Sequence, residues 1–204
     1  MIEQIIDWAA RNWVEIAGTV LGVIYVFLSI KQNILTWLTG LLTSLLYIYV
    51  FFVSKFYADM ALQVYYVWIS IYGWWLWAKG IDTNKGHQSL PVVGLKPKLA
   101  KVLVMVSGLL WLGIYFILKY FTDSPVPVGD AFTTALSIVA TWMLARKIIE
   151  HWLLWVVVDF VSLLLYVYKG LYPTSIMFVV YTGAALWGYF EWKKQLKQAN
   201  EQNL

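Results

Sequence analysis

One carboxylate stands inside an apolar stretch, where a charge is costly. Asp159 lies in WVVVDFVSLL (155–164), within a run from Trp152 to Tyr168 that is almost entirely apolar and aromatic. A carboxylate at the centre of a membrane span costs about 2.5–3.5 kcal/mol even on the lenient insertion scale, so it should face a partner or a wet cavity. Two roles are open: a protonated or hydrogen-bonded group that holds helices together, or a group that binds a cationic or aromatic solute.

Other polar and aromatic residues recur at helical spacing, as expected for residues on one helix face. The candidate substrate-binding residues are Trp37, Ser44, Asp59, Gln63, Tyr66, Trp155, Asp159, Ser162 and Tyr181. Faces of Trp and Tyr attract cations by about 0.5–2 kcal/mol and stack with flat rings, and the Gln63 amide can both donate and accept. Asp59 can equally be a helix-start acid, and Gln63 can equally bridge two helices.

The composition indicates a membrane protein. Of 204 residues, 61% are hydrophobic and only 13% charged, against about 25% charged in soluble domains. Seven segments are long and apolar enough to span a bilayer, and we number them in order: about 13–30, 34–53, 57–78, 100–121, 131–148, 152–169 and 173–192. The fold class is therefore an all-α integral membrane protein with seven transmembrane helices. Residues 1–12 resemble a short helix lying on the membrane surface.

The basic residues predict the orientation. Because short cytoplasmic loops carry the excess of Lys and Arg, placing the N-terminus outside puts 11 of the 15 basic residues inside. Arg146, Lys147 and Glu150 are expected to form a solvated cluster at the inner boundary. The polar segment 80–98 is interpreted as a cytoplasmic linker and 193–204 as a cytoplasmic tail.

The two halves share residues, which predicts an internal duplication. In spans three and seven, Tyr66, Gly73 and Trp77 match Tyr181, Gly188 and Trp192 at an offset of 115 residues. In spans two and six, an offset of 118 pairs Trp37 with Trp155 and Ser44 with Ser162, and it places Leu41 opposite Asp159. We therefore predict a first three-helix repeat (13–79), a central helix four (99–122) and a second repeat (130–192). A single intervening helix makes the repeats parallel, with a substrate site between them near the midplane.

Several other classes fit poorly. The basic residues lie between apolar runs rather than along one face, which argues against a nucleic-acid partner. The chain has no Cys, and both His residues are expected near the inner surface, so we predict neither a metal site nor a cofactor. A retinal protein would need a Lys in the middle of the last span, and an intramembrane protease would need catalytic residues that are absent at depth. We therefore predict no enzyme, while a structural or receptor-like seven-helix protein stays open.

Four stretches carry a family resemblance. QNILTWLTGLLTSLLYIYVF, YADMALQVYYVWISIYGWWLW, DAFTTALSIVATWMLARKIIEHWLLWVVVD and YKGLYPTSIMFVVYTGAALWGYFEWKK resemble the PnuC-type bacterial vitamin transporters. The resemblance implies a full-length SWEET-like fold arranged as three plus one plus three helices, and facilitated uptake across the bacterial inner membrane. It also implies a homotrimer, and trapping of the vitamin by an intracellular kinase that acts downstream without required contact.

Within this resemblance, the residue at position 159 bears on the substrate. Carriers of nicotinamide riboside usually have Asn at this position, whereas WVVVD followed by YKGLYPTS looks more like the thiamine-transporting PnuT branch. We therefore expect facilitated uptake of thiamine, with nicotinamide riboside as the alternative. Both vitamins carry a fixed positive charge on an aromatic ring, so charge alone does not separate them.

Overall fold

The computed structural model describes residues 13–53, 57–83, 86–168, 170 and 172–202; within these ranges, the side chains of residues 14, 15, 57–59, 82, 83, 86, 87, 173, 174, 199, 200 and 202 are not described. The predicted surface helix at 1–12 lies outside the described residues. The described chain forms seven helices: α1 Trp13–Ile30, α2 Leu35–Val53, α3 Tyr57–Lys79, α4 Pro97–Phe121, α5 Pro127–Ala145, α6 His151–Tyr168 and α7 Tyr172–Gln202. A short antiparallel hairpin, β1 Ile81–Thr83 and β2 Gly86–Gln88, follows α3.

The seven predicted helices are confirmed, with shifted ends. Helix α5 runs from Pro127 to Ala145 instead of 131–148 because Pro127 suits the first helical position and Lys147 adopts a positive φ of 51°. Helix α7 continues to Gln202, beyond the predicted end at 192. Its exposed extension carries Lys and Glu at helical spacing, including Lys197 and Glu201, whose side chains approach to 3.8 Å.

The helices are built for a bilayer. By length and composition, four described helices can cross a membrane, namely α2, α4, α5 and α6, and α1 contains the shorter apolar stretch Ile16–Ile30. Helix α4 has no buried residue, and Val104 on its surface is 73% exposed. Apolar side chains exposed along a whole helix are suited to lipid rather than water. The chain is a multi-pass membrane protein.

The chain divides into two compact units at residues 78 and 79. In the first unit, helices α1, α2 and α3 approach closely around Gly40. A Cβ atom built there would lie 3.0 Å from the ring of Tyr25 on α1 and 3.2 Å from Ser70 Oγ on α3. Glycine at position 40 therefore allows these two side chains to reach the backbone of α2.

In the second unit, α5 packs against α4 and α6, and α6 packs against α7. The small residues Ala131, Ala135 and Ala140 are at most 1% exposed, so the α5 face can approach its neighbours closely. Leu99 and Leu103 of α4 pack against a buried cluster formed by Val139, Met143 and Ile148. Helix α4 is thus packed against the C-terminal end of α5.

The predicted solvated cluster at 146–150 is wrong. Arg146 is exposed and lies over the Trp142 ring at 4.5 Å, but Lys147 is only 4% exposed. Glu150 is half-buried and accepts a hydrogen bond from the Leu95 backbone N–H. The prediction failed because charge alone suggested solvation, whereas the turn folds back between α5, α6 and the segment preceding α4.

The turns after α1 and α5 have the same hydrogen bonds at an offset of 115 residues. Gln32 and Lys147 are the two non-glycine residues of the described chain with positive φ, at 52° and 51°. Four backbone hydrogen bonds recur. In the first turn the N–H groups of Gln32, Asn33, Thr36 and Trp37 donate to the oxygens of Ser29, Leu28, Asn33 and Ile34, respectively. In the second turn the N–H groups of Lys147, Ile148, His151 and Trp152 donate to the oxygens of Leu144, Met143, Ile148 and Ile149. Each unit therefore contains the same helix–turn–helix structure.

This offset corrects the sequence alignment of α2 with α6. The counterpart of Trp37 is Trp152, not Trp155, because both follow the shared turn and both lie on a glycine of the next helix, Gly73 or Gly188. The counterpart of Asp159 is consequently Ser44 rather than Leu41. Trp152 and Trp155 lie three residues apart, so sequence identities admitted a slip of almost one helical turn. The parallel arrangement of the repeats in the membrane stays a prediction.

Candidate substrate site

Asp159 is buried on α6 without a partner in the described part of the chain. Its side chain is 5% exposed, and it forms no hydrogen bond or ion pair with any described residue. Ser162, one turn later, is 6% exposed, and Trp155, one turn earlier, is half-buried. A buried polar group without a partner is costly, and such a group in a native structure calls for an explanation. A cationic ligand would supply the missing partner.

An aromatic ladder runs between α6 and α7. Tyr166 stacks on Phe178 with ring centroids 5.1 Å apart, and Phe178 meets Tyr181 edge to face at 6.2 Å. Tyr166 lies seven residues after Asp159 on α6, about two helical turns. Tyr181 is half-buried, so part of its surface is covered by this ladder. The second unit thus carries a carboxylate and aromatic rings on neighbouring helices.

The candidate residues of the first unit lie on α2 and α3. Ser44 is 3% exposed, while Gln63 and Tyr66 are half-buried. The Tyr66 ring lies 5.6 Å from that of Tyr65. The Asp59 side chain lies outside the described residues. The predicted residues therefore form two sets, with Trp37, Ser44, Gln63 and Tyr66 in one unit and Trp155, Asp159, Ser162 and Tyr181 in the other.

Trp37 is packed into the protein rather than open to a ligand. Its side chain is 1% exposed, its indole lies against Gly73, and its ring meets Trp77 edge to face at 5.4 Å and 88°. In this conformation Trp37 offers no accessible ring face for the predicted stacking on a substrate. Its role in the structure is to join α2 to α3.

The corresponding contact in the second unit was missed from the sequence. Trp152 is 3% exposed, lies against Gly188 and meets Trp192 edge to face at 5.8 Å and 88°. His151, which is fully buried, lies 4.8 Å from the Trp192 ring. The sequence comparison used an offset of 115 residues for α3 and α7 but 118 for α2 and α6. An offset of 115 for both would have paired Trp152 with Trp37 and so predicted the Trp152–Gly188 contact.

Two residues of the first unit were also overlooked. Tyr25 on α1 and Ser70 on α3 meet at Gly40, less than one turn from Trp37 and about one turn from Ser44 along α2. Ser70 is 5% exposed and lies four residues, about one turn, after Tyr66 on α3. Tyr25 carried no comparable signal, because α1 shows no polar–aromatic stripe in sequence.

Comparisons with known proteins identify relatives over almost the whole chain. The chain is 26% identical over 215 residues to the nicotinamide riboside transporter PnuC of Escherichia coli strain K12, covering 95% of this chain and 90% of that protein. It is 27% identical to a nicotinamide riboside transporter PnuC of Neisseria mucosa, covering 94% and 76%. It is 26% identical to the riboflavin/roseoflavin transporter RibM of Streptomyces davaonensis, covering 88% and 84%.

A solved structure and a family profile agree with these relatives. The crystal structure of the vitamin B3 transporter PnuC matches with a TM-score of 0.74 and 25% identity, covering 96% of this chain and 87% of that one. The profile of the nicotinamide mononucleotide transporter family matches residues 12–194. Because this match spans all but the two ends of the sequence, the chain belongs to the nicotinamide mononucleotide transporter family.

Proposed function

We propose that the protein carries a cationic heteroaromatic vitamin across the bacterial cytoplasmic membrane by facilitated diffusion, with nicotinamide riboside as the first candidate. The buried Asp159 carboxylate, which has no protein partner in the described chain, carries the cationic part of this proposal, and the relatives favour nicotinamide riboside as the first candidate. Nicotinamide riboside has a fixed positive charge on a flat ring, which suits a carboxylate beside aromatic side chains. Two relatives named above are nicotinamide riboside transporters.

Thiamine is the second candidate, favoured by the identity of residue 159. By the resemblance, carriers of nicotinamide riboside usually have Asn at this position, where this chain has Asp. The thiamine aminopyrimidine has an amino group that could donate to the Asp159 carboxylate, and the Gln63 amide could meet its ring nitrogens. Riboflavin, the substrate in the name of one relative, lacks the fixed cation, so Asp159 gives no reason to favour it.

The remaining parts of the proposal concern mechanism. We propose that Trp155, Tyr66 and Tyr181 stack on the substrate, that Gln63 and Asp59 contribute hydrogen bonds, and that Ser44 and Ser162 permit close approach. Trp37 would join them only if its ring became accessible in another conformation. Two parallel repeats would rock about the bound vitamin. The protein would form a homotrimer with its N-termini outside, and an intracellular kinase would trap the imported vitamin.

One structural observation fits the proposed course of the chain across the membrane, with two spans between the contacting loops. Residues 93–95 of the predicted cytoplasmic linker hydrogen-bond to residues 147–150 between α5 and α6. The charge distribution assigns both segments to the inside, and these contacts require them to lie on one side of the membrane. The basic residues Arg146 and Lys147 belong to this same region, in accordance with the excess of Lys and Arg in cytoplasmic loops.

The first experiment is a tryptophan-fluorescence titration of the purified protein with nicotinamide riboside, thiamine and riboflavin, checked by calorimetry. We expect saturable binding of one cationic vitamin and a much weaker response to riboflavin. Tight binding of riboflavin alone would contradict the role of charge. Binding of thiamine alone would favour the second candidate over the first.

Asp159→Asn then tests the carboxylate itself. A hydrogen bond to a charged group is worth about 1.5–3 kcal/mol, so affinity for thiamine should fall by roughly 10- to 100-fold, whereas affinity for nicotinamide riboside, whose carriers usually have Asn at this position, should change little. Asp123→Asn makes the same chemical change in the exposed α4–α5 loop and should leave binding unaltered. If the protein binds thiamine, unchanged affinity of the Asp159 variant would mean that the carboxylate is a structural group, protonated within the helix bundle.

A further inference from the structure

A short extended segment precedes α4 and pairs through one β-bridge with the turn between α5 and α6. Val93 and Ile148 are partners in a parallel β-bridge. The Val93 N–H donates to Lys147 O at 3.0 Å, and the Ile149 N–H donates to Val93 O at 3.0 Å. Val92 is 9% exposed and Ile148 3%. We call residues 92–95 the strap, because they are held to this turn by both backbone bonds and burial.

Glu150 joins the strap to the start of α6. Its carboxylate Oε2 accepts the Leu95 N–H at 2.9 Å, and its backbone oxygen accepts the N–H groups of Leu153 and Leu154 in the first turn of α6. Gly94 also lies close, since a Cβ atom built there would be 3.7 Å from Glu150 Oε1. One residue therefore contacts both the strap and the helix that carries Asp159.

The strap also continues directly into α4, which is itself held to α5. Leu95 and Leu99 pack on the buried cluster of Val139, Met143 and Ile148. The end of α5, the turn, the start of α6, the strap and the start of α4 are consequently connected by hydrogen bonds and by one apolar cluster. Such a connected set moves as a unit, because packed interiors resist continuous deformation.

The first repeat lacks this arrangement although its turn has the same backbone. The counterpart of Glu150 is Leu35, which is 45% exposed. Within the described ranges, residues 31–34 form no β-bridge, whereas the equivalent residues 146–149 include Ile148 in its bridge with Val93. The acidic residue and the strap therefore occur together, on the second repeat.

We propose that Glu150 is a positioning residue for transport, which fastens the strap and holds the inner end of α6 to α4 throughout the transport cycle. Asp159 lies nine residues further along α6, about 13 Å at 1.5 Å per residue. A fixed inner end keeps this carboxylate at a constant depth while the substrate passes. This inference rests on the proposed transport function, but the fastening itself can be measured without any substrate.

The fastening is tested by amide hydrogen exchange of the full-length protein in detergent. In Glu150→Leu, which installs the residue of the first repeat, exchange at residues 93–95 and 149 should accelerate about tenfold or more, as expected when a hydrogen bond to a charged group is lost. Glu150→Gln keeps an acceptor oxygen and should restore most of the protection. Equal protection in all three proteins would overturn the inference, whichever vitamin the protein carries.

The effect on transport is tested with the same variants in vesicles, using the vitamin identified by titration. Glu150→Leu should slow uptake several-fold with an unchanged dissociation constant, and Glu150→Gln should restore the rate. A weaker affinity at an unchanged rate would contradict a positioning role. If no vitamin binds the unaltered protein, the proposed function fails while the exchange result stands by itself.

A cross-link decides whether the strap ever releases. The chain has no Cys, so Val93→Cys with Ile148→Cys introduces a single defined pair at neighbouring positions of the bridge. Oxidation to the disulfide, quantified by intact mass, should leave the uptake rate within about twofold of the reduced protein. Blocked uptake that a reductant restores would show that the strap must detach, and it would overturn the proposal.

Discussion

Replacing Gly188 by Ala should destabilise the protein because no space exists for a methyl group. A Cβ atom at Gly188 would lie 2.6 Å from both Cε2 and Cζ2 of Trp152. The indole cannot easily move away, since Trp152 is 3% exposed and packs against His151 and Trp192. Overpacking of this kind costs about 1–3 kcal/mol, and the immobile indole places Gly188→Ala near the upper end.

The helix propensity of Ala partly offsets this cost. Ala is favoured over Gly inside a helix by about 1 kcal/mol, which leaves a net destabilisation of about 2 kcal/mol. For a chain of this size, 1 kcal/mol shifts Tm by roughly 2–4 °C, so Tm should fall by about 4–8 °C. Thermal unfolding of the purified protein in detergent measures the shift.

Gly183 supplies a matched control on the same helix. It is exposed, and a Cβ atom there would have nothing within 4 Å. Gly183→Ala should therefore gain only the higher helix propensity of Ala, without a clash, and raise Tm by about 2–4 °C. In a Trp152→Leu background, Gly188→Ala should no longer destabilise, because the clashing ring is gone. If Gly188→Ala behaves like Gly183→Ala, the inferred contact between α6 and α7 is wrong.

Three further predictions concern the buried polar groups and the transport mechanism. Thr43→Val should raise Tm by a few degrees, because Thr43 Oγ1 is buried without a hydrogen-bond partner in the described chain and an unsatisfied buried group costs about 1–3 kcal/mol. The equivalent position in the second unit already holds the buried Val158. A lowered Tm would indicate a missed partner of Thr43. Burial lowers the pKa of Lys147 from 10.5 to about 8, so the unfolded chain binds more protons between these values and stability should rise with pH through that window. The rise should be on the order of 3 kcal/mol, and Lys147→Gln should remove it, as measured by unfolding at pH 7 and pH 10; an unchanged pH profile would contradict the assignment. Collapsing the H⁺ and Na⁺ gradients should leave uptake into kinase-free vesicles unchanged, and loss of uptake would show ion coupling instead of facilitation.

The sequence predicted those features that follow from apolar length and helical spacing. The seven helices were found because a bilayer imposes a minimum length on each span. The faces of α3 and α7 were found because their polar and aromatic residues recur at helical intervals, and Trp77 and Trp192 on them are 7% and 0% exposed. Burial of Asp159 followed from its position inside an apolar run.

Other features depend on contacts between distant segments, which spacing cannot reveal. The register between α2 and α6 was misjudged because Trp152 and Trp155 offered two alignments, and only the shared turn distinguishes them. The burial of Lys147 and the fastening of Glu150 arise from the strap, more than 50 residues earlier in the chain. No local pattern marks 92–95 as a strand, since it is short and ends close to Pro97.

The corrected register shows that the duplication conserves backbone and packing but differs between the units at four ionisable residues. Both units have the positive-φ turn and the Trp-on-Gly contact, but Lys147, Glu150, His151 and Asp159 of the second stand where the first has Gln32, Leu35, Thr36 and Ser44. A second buried acid at position 44 would add a further cost of about 2.5–3.5 kcal/mol. A substrate with one positive charge could neutralise only one of the two acids. Under the proposed function, a single carboxylate at the paired positions 44 and 159 is therefore the arrangement that a monovalent cation favours.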